Sequence, residues 1–516
     1  MCDIKFLYMG TIQISEQQKI GKFISELRQQ RGISQQAFAK ALNTSQSAVA
    51  RMESGQQNFS TEMLSKIGKV LEREVITLAG NTVSFRIQGG YKLSGNIATN
   101  TSKNAAVALL CASLINRGKT TLRNVPKIEE VYRIVEVLTS IGVSIKWQGS
   151  DIEIVPPKQL AMHKLDKEAA VKTRSVLMLM GSLGHWLKHF TLPLSGGCKL
   201  GARTVRPHLF ALEHFGYSIK TIHDHYDIQI KKMLPGDCTL YEMGDTVTEN
   251  ALMAAAGIAG KSVIRLASAN YMVQDVCHFL QALGVRVEGI GTPTLTVYGK
   301  KEIRENVEYF LSEDPIESMM FLSLAITTGS HVTVERCPVD FLQLELLKLK
   351  KMGVKMRIGK SYSSRNGVTQ LADIEVFPSK LKALEEKIHP LPSAFGINID
   401  NLPFFVPIAT QAEGKTLIHD WVYENRAIYF MEMTKLRANL TLVDPHRIYV
   451  EGPTELKAAE VICPPALRPA VIILIAMLAA KGTSLLRNVY SISRGYEDIA
   501  TRLKALGAKI ETLHGI

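Results

Sequence analysis

AVALLCASLINRGKTTLRNV (106–125), ENALMAAAGIAGKSVIRLAS (249–268), SMMFLSLAITTGSHVTVERC (318–337) and VIILIAMLAAKGTSLLRNV (471–489) share one reading. Each is an apolar run of helical length, then a Gly, then a short strand-like run. A helix that is apolar on every side is buried, so these helices belong inside and the strands that follow them outside. A second mark comes further along each unit: a helix ending on an apolar residue, a Gly, a small or apolar residue, then a strand. It stands at Ile141-Gly142-Val143, Phe215-Gly216-Tyr217, Leu283-Gly284-Val285, Met352-Gly353-Val354, Leu436-Arg437-Ala438 and Leu506-Gly507-Ala508. Gly just past a helix supplies the left-handed residue that turns the chain; Arg437 breaks that rule. The marks lie 68 to 84 residues apart, too far for a solenoid repeat. They predict an α/β fold over residues 83–516, in which buried helix, strand, second helix and strand are used six times.

Composition agrees. Of 516 residues, 46% are hydrophobic and 21% charged, an ordinary globular balance that excludes a disordered, collagen-like or disulfide-scaffold chain. The net charge of +13 suits an anionic partner, either nucleic acid or phosphorylated metabolites. The longest apolar candidate, Pro469 to Ala480, is about half the roughly 20 residues that span a bilayer and reads as a buried helix. The N-terminus shows no secretory signal. Seven cysteines without a CxxC pair fit reduced thiols in the cytoplasm.

Residues 17–76 read differently: short, polar, Gln-rich and without a strand-like run. Ile20, Phe23, Ile24 and Leu27 share one helical face, ended by Gly32. A second helix starts at the cap Ser34 with Phe38, Ala39 and Leu42 inward. Asn43-Thr44 turns the chain. A third helix has Val49 and Met52 inward, and a fourth starts at Ser60 or Thr61. Two short helices about a tight turn form a helix-turn-helix. The stretch SQQAFAKALNTSQSAVARMESG (34–55) resembles the Cro/C1 repressor family. That resemblance makes Ser45 to Glu53 the recognition helix, with Gln46, Ser47 and Arg51 toward base edges, Gln35 at a phosphate and double-stranded DNA as partner. The other reading of the same residues is a small bundle for dimerisation or docking. Residues 16–76 hold nine Lys or Arg against six Asp or Glu, so most of the basic excess lies in the large part.

FRIQGGYKLSGNIATNTSKNAAVALLCASLI (85–115), LPLSGGCKLGARTVRPHLFALEHFGY (192–217) and SISRGYEDIATRLKALGAKIE (491–511) resemble the UDP-N-acetylglucosamine 1-carboxyvinyltransferase (enolpyruvyl transferase) family. The resemblance covers residues 83–516. It implies a two-domain inside-out α/β barrel of three repeats per lobe, in accord with the six units above. Lobe one would hold 83–102 and 312–516, and lobe two 103–311. The implied substrates are phosphoenolpyruvate and UDP-N-acetylglucosamine or a related UDP-sugar, with no cofactor and no membrane. Such chemistry needs fixed cations for a phosphate and a carboxylate, and an acid and a base for proton transfer.

By resemblance Lys103 and Asn104 form the phosphate-binding and intermediate-stabilising pair, and Arg174 and Arg203 contact phosphate. Cys198, in the Gly-flanked and cation-flanked loop SGGCKLGAR, is the general acid; Lys199 and Arg203 would lower its thiol pKa. Asp400 is the base for the acceptor hydroxyl, although a shorter register places Asn398 there, which cannot act as a base. Arg426, Arg468 and Arg494 match further cations at the substrates. The chain also departs from the family. Ala466 stands where an Asp precedes Leu-Arg, Ser493 replaces the Asp of Asp-Arg-Gly, Asp314-Pro315-Ile316-Glu317 replaces Asp-Arg-Ile-Glu, and Ser195 replaces the Pro before Gly-Gly-Cys. Gly244-Asp245-Thr246 replaces a Ser-Val-Gly on the nucleotide side, where Asp245 would repel a diphosphate. Two functions fit: an enolpyruvyl transferase with a DNA-binding head, or a catalytically impaired sensor of UDP-sugar or phosphoenolpyruvate that regulates transcription, possible as a homodimer. His185 and His189 share helical i, i+4 spacing but lack the rest of a zinc motif, so no metal site is expected.

Overall fold

The computed structural model describes residues 21–22, 24–25, 28–29, 33–56, 63, 66–67, 70, 83–194, 204–391, 393 and 395–514. The chain divides into two compact units at residues 82/83.

In the first unit, Ser34 caps the helix Gln35–Ala41 by accepting from Ala37 N at 3.1 Å. Ser45 caps Gln46–Glu53 through Ala48 N at 3.2 Å. Asn43 takes a left-handed φ of 54° in the turn between them, which Asn tolerates better than most residues. Phe38, Ala39, Leu42, Val49 and Met52 bury against Ile24 and Ile67. The inner pair of the helix-turn-helix therefore forms on the expected residues. Ile20, Phe23, Leu27, Gly32 and the cap at Ser60 or Thr61 lie outside the described residues.

The second unit holds six open sheets, and five repeat one strand order: a parallel pair, then two antiparallel neighbours. In one, Glu460–Ile462 runs parallel to Gly482–Arg487, which pairs antiparallel with Val83–Gly89, which pairs with Lys509–His514. In another, Asp237–Thr239, Gly260–Arg265, Thr294–Gly299 and Arg286–Glu288 follow the same order. The sixth sheet, His189–Pro193, His225–Ile230 and Tyr217–Ile222, is antiparallel throughout and three-stranded among the described residues. Three sheets come from residues 120–310, and three from 83–98 and 331–514.

The apolar stretches form helices inside these sheets. Lys103–Ala112, Leu179–Leu183 and Asp245–Ala256 pack together in one lobe; Pro315–Thr328, Phe405–Ala409 and Leu467–Ala479 pack together in the other. In Leu467–Ala479 every residue from Arg468 to Leu478 is buried, so the Pro469 to Ala480 run is core, as its length predicted. Among the described residues no helix is long and apolar enough to cross a membrane. All six turn marks adopt the left-handed backbone: Gly142, Gly216, Gly284, Gly353 and Gly507 at φ of 78° to 99°, and Arg437 at 65°. The fifth repeat therefore keeps the turn without the glycine.

The chain passes between lobes twice, and the two passages lie side by side. Ser102 N donates to Ser312 O at 2.8 Å, and Asp314 N to Asn100 O at 2.9 Å. Each passage leaves a strand behind in the sheet it came from. Ser94–Ala98 pairs parallel with His331–Pro338, and Val307–Phe310 pairs parallel with Thr120–Arg123. This exchange fixes where the helices Lys103–Ala112 and Pro315–Thr328 begin: their N-termini flank the paired passages.

Candidate active site

Ser102 caps the helix Lys103–Ala112 by accepting from Ala105 N at 3.1 Å. Lys103 is therefore the first residue of a buried helix, and its Nζ lies 2.8 Å from Glu130 Oε2. Glu130, in the first turn of Glu129–Ser140, also accepts from Ser175 Oγ at 3.0 Å and Thr173 Oγ1 at 3.4 Å. Burial alone would raise its carboxyl; the charges of Lys103 and of Arg494, which caps Tyr490–Ser493 on the other lobe, outweigh it and hold the carboxyl at about 2.

Asp400 faces two arginines. Arg426 Nη1 is 3.4 Å from Oδ1, and Arg468 Nη2 is 3.3 Å from Oδ2. Burial raises the Asp400 carboxyl, but Arg468, Arg426 and Lys103 together pull it below the usual range, so it is ionised at neutral pH. Asn398 does not take this place; its side chain turns to Asn270 and to the Asp400 backbone. The structure thus points the longer register, Asp400, at the cations. Arg426 is fully buried, pairs with Asp420 through Nε and donates to Ile399 O at 2.6 Å. Arg468 donates to Tyr496 OH at 2.7 Å, and its Nε has no hydrogen-bond partner among the described residues.

Asp314 caps Pro315–Thr328. Burial pushes its carboxyl up to about 6 against the pull of Arg468. Tyr271 OH lies 3.4 Å from Asp314 Oδ1 and accepts from Ser102 Oγ at 3.0 Å. Tyr271 and Asp314 form one bonded group, and Arg468, Asp400 and Arg426 another; the charges of Arg468 and Lys103 act on both, so the six make one electrostatic cluster. Asp245 and Glu249, one turn apart on Asp245–Ala256, add carboxyls beside it. Burial raises both, and Asp400 adds to the effect on Asp245.

Arg174 opens a short 3-10 turn, and its Nη2 donates to Thr204 O at 2.9 Å. Both of its neighbours, Thr173 and Ser175, donate to Glu130, which places it at the rim of the cluster. Asn104 follows Lys103 and is half-buried. Cys198 and Arg203 lie outside the described residues, as does Lys199. The described cysteines Cys111, Cys238, Cys277, Cys337 and Cys463 are all buried, and burial pushes their thiols up, to about 11 at Cys238 and about 12 at Cys463. None of the five is a reactive thiolate. The histidines of HWLKH share no helix: His185 Nε2 faces Met253 O at 2.8 Å, while His189 opens a strand and faces Asp227 at 2.6 Å. No group of three or more metal-ligating side chains gathers among the described residues.

The family model EPSP synthase (3-phosphoshikimate 1-carboxyvinyltransferase) matches residues 87–503. The chain belongs to that family. A Helix-turn-helix model matches residues 24–77. Among curated relatives, UDP-N-acetylglucosamine 1-carboxyvinyltransferase of Bradyrhizobium diazoefficiens is 32% identical over 429 residues, covering 83% of this chain and 98% of that protein. The protein of the same name from Treponema pallidum is 31% identical with the same coverage. Among solved structures, the enolpyruvyl transferase NikO from Streptomyces tendae shares the fold at a TM-score of 0.71 and 21% identity, over 85% of this chain and all of that one. EPSP synthase from Acinetobacter baumannii does so at 0.66 and 19%, over 84% of this chain and all of that one. The large unit is thus a transferase of the enolpyruvyl class, and the small one is a helix-turn-helix domain.

On that domain Gln46, Ser47 and Arg51 are exposed along one short helix, with Ser47 Oγ 2.9 Å from Ser45 Oγ. Gln35 is committed inward: its Nε2 donates to Glu53 Oε2 at 2.8 Å, beside Ser25 and the ion pair of Arg28 with Glu53. An amide so engaged has to let go of Glu53 before its nitrogen can reach a phosphate.

Proposed function

We propose that the large unit transfers the enolpyruvyl group of phosphoenolpyruvate to a hydroxyl of UDP-N-acetylglucosamine or a related nucleotide sugar, releasing phosphate. The observation that carries this reading is Asp400, ionised and set between Arg468 and Arg426 with Lys103 close enough to act on it. A carboxylate that stays ionised among fixed cations accepts a hydroxyl proton, while the cations hold an anion beside it.

The steps join that geometry to the roles that the family resemblance gives Cys198 and Arg203, which lie outside the described residues. Lys103, Arg174, Arg468 and Arg494 bind the phosphate and carboxylate of the donor, and the family resemblance adds Arg203 to them. Cys198 delivers a proton to the methylene carbon. Asp400 takes the proton of the acceptor hydroxyl as its oxygen bonds to the adjacent carbon. The tetrahedral adduct then loses phosphate and one methyl proton, which restores the enol ether. The 3-hydroxyl of the sugar is the proposed nucleophile. Phosphate release from phosphoenolpyruvate across a small panel of UDP-sugars tests the reading. Activity with at least one of them, lost in Cys198→Ala and Lys103→Ala, supports it; no phosphate above background with any of them sinks it.

The proposed role of the head is to bind double-stranded DNA through Gln46, Ser47 and Arg51. Its support is their exposure on the second helix of the capped pair. Binding to DNA upstream of the protein's own gene should weaken steeply with salt and depend on sequence; equal affinity for unrelated DNA would leave only the dimerisation or docking role.

A further inference from the structure

The loop that carries Asp400 is held from beneath by a residue of an outer helix. Glu345 sits in the first turn of Gln343–Lys351 and is fully buried. Its Oε1 accepts from Asn398 N at 2.9 Å and from Asn401 Nδ2 at 2.8 Å. One oxygen thus pins both ends of the turn 398–401. Asn398 then uses its side chain in two further directions. Its Oδ1 accepts from Asp400 N at 2.9 Å, and its Nδ2 donates to Asn270 Oδ1, on the opposite lobe, at 3.1 Å. Asn270 in turn caps Tyr271–Ala282 and donates to Asp245 Oδ2 at 3.2 Å. A continuous line of hydrogen bonds runs from the outer helix, under Asp400, to the facing lobe.

Packing does not require this arrangement. Glu345 Oε2 has no hydrogen-bond partner among the described residues. Burial pushes the carboxyl up to about 7, opposed by the hydrogen bonds from Asn401 and Asn398. An apolar side chain would fill the space without a buried unpartnered oxygen. What it would not do is hold Asn398 and Asn401. We propose that Glu345 is a positioning residue for enolpyruvyl transfer: through Asn398 and Asn401 it sets the Asp400 carboxylate, and Asn398 ties that setting to contact between the lobes. The role rests on the transfer reading given above.

Three variants of the full chain test it: Glu345→Gln, Glu345→Leu and Asn398→Ala. Gln keeps a carbonyl oxygen for both donors, so its kcat should stay within about threefold of the parent. Leu removes both bonds; kcat should fall about 30-fold or more while KM for phosphoenolpyruvate moves less than about threefold, since misplacing a reacting group by about 1 Å costs on the order of 100-fold. Amide hydrogen exchange over 396–402 gives a second reading that needs no turnover. The Asn398 and Asp400 amides should be protected in the parent and in Glu345→Gln, and both should exchange fast in Glu345→Leu; Asn398→Ala should free only Asp400. Parental kcat in Glu345→Leu, or equal losses in the Gln and Leu variants, overturns the proposal. A parent without phosphate release defeats the transfer reading instead, and unchanged exchange in Glu345→Leu then defeats the positioning role independently.

Discussion

Lys103→Met removes the cation that stands 2.8 Å from Glu130 and keeps most of the side-chain length. With Lys103 present, the folded protein holds Glu130 at about 2 against an ordinary 4.5. At 1.36 kcal/mol per unit that is roughly 3 kcal/mol of stability. Because the folded value is depressed, this stability is present above about pH 4.5 and lost as pH falls through 2. In the variant the burial of Glu130 is opposed by Arg494 and two hydroxyls, so the carboxyl rises. At pH 7.5 it is a buried charge without its partner, and the variant should be less stable by about 3–5 kcal/mol. Near pH 4.5 Glu130 takes up a proton in the variant and the gap should shrink by about 1–2 kcal/mol, while the parent keeps its roughly 3 kcal/mol. Denaturant unfolding followed by tryptophan fluorescence reads this directly, because all three tryptophans, Trp147, Trp186 and Trp421, lie in the unit that holds the site. Adding Glu130→Gln to Lys103→Met should restore stability to within about 1 kcal/mol of Glu130→Gln alone without restoring transfer. An equal gap at both pH values, or no recovery in the double variant, would refute the reasoning.

Asp314→Asn should be stabilising at pH 8 by up to about 3 kcal/mol and neutral at pH 4, since burial raises Asp314 from 3.8 to about 6 and the folded state loses stability as pH rises through that value; equal effects at both pH values in chemical denaturation would contradict it. Arg437→Gly should raise the denaturation midpoint by a net of about 0.5–1 kcal/mol, because a left-handed non-glycine residue costs roughly 1–2 kcal/mol and the freedom of Gly in the unfolded chain returns part of that; an unchanged or lower midpoint would mean the exposed Arg437 side chain makes compensating contacts. Arg426→Met should be among the most destabilising single changes in the site, at about 3–5 kcal/mol, because Asp420 is fully buried and its Oδ1 has no hydrogen-bond partner among the described residues; a loss under about 1 kcal/mol in the same assay would contradict it. Arg51→Ala should weaken operator binding by about 1–3 kcal/mol and leave phosphate release unchanged, read by titration of labelled DNA.

The six-fold repeat was legible because it is written in residue types that physics restricts. A helix apolar on all sides has only one place to go, and five of the six turn marks carry the glycine that their backbone favours. Arg437 shows the limit of that code: its neighbours Leu436 and Ala438 supply the pattern, and φ of 65° confirms that context can hold a left-handed turn that its own residue disfavours. The resemblance named Lys103, Arg426, Arg468 and Arg494; the structure sets Lys103 and Arg494 to act on Glu130, and Arg426 and Arg468 on Asp400. The resemblance named Asp400 as well, but not the other groups that hold the site. Glu130 looks like any acidic residue in a first helical turn, Glu345 like one charge on a lysine-rich outer helix, and Tyr271 and Tyr496 like core aromatics. Each acquires its role from a residue at least 25 positions away, and no local pattern records such a contact. Gln35 shows the converse, a residue whose local position suits a phosphate but whose side chain reaches Glu53 instead.

The departures from the family pattern bear on how the site accepts a charged donor. Without an Asp at 466, Arg468 is still not left alone: Tyr496, Asp400 and Asp314 surround it. Lys103 has Glu130, and Arg426 has Asp420. Each of these cations already faces an anion, so a phosphorylated donor entering the cluster brings charge that the fixed cations alone do not neutralise. The carboxyls able to respond are those whose burial has raised them, Asp314 at about 6, with Asp245 and Glu249 also displaced upward. Negative charge nearby raises them further. On the transfer reading, donor binding is therefore linked to proton uptake at these carboxyls, while Asp400, held low by two arginines, stays ionised and free to take the acceptor proton. The division of labour lies in the two directions of shift: the lowered carboxyl accepts the proton of the reaction, and the raised ones absorb the charge of binding.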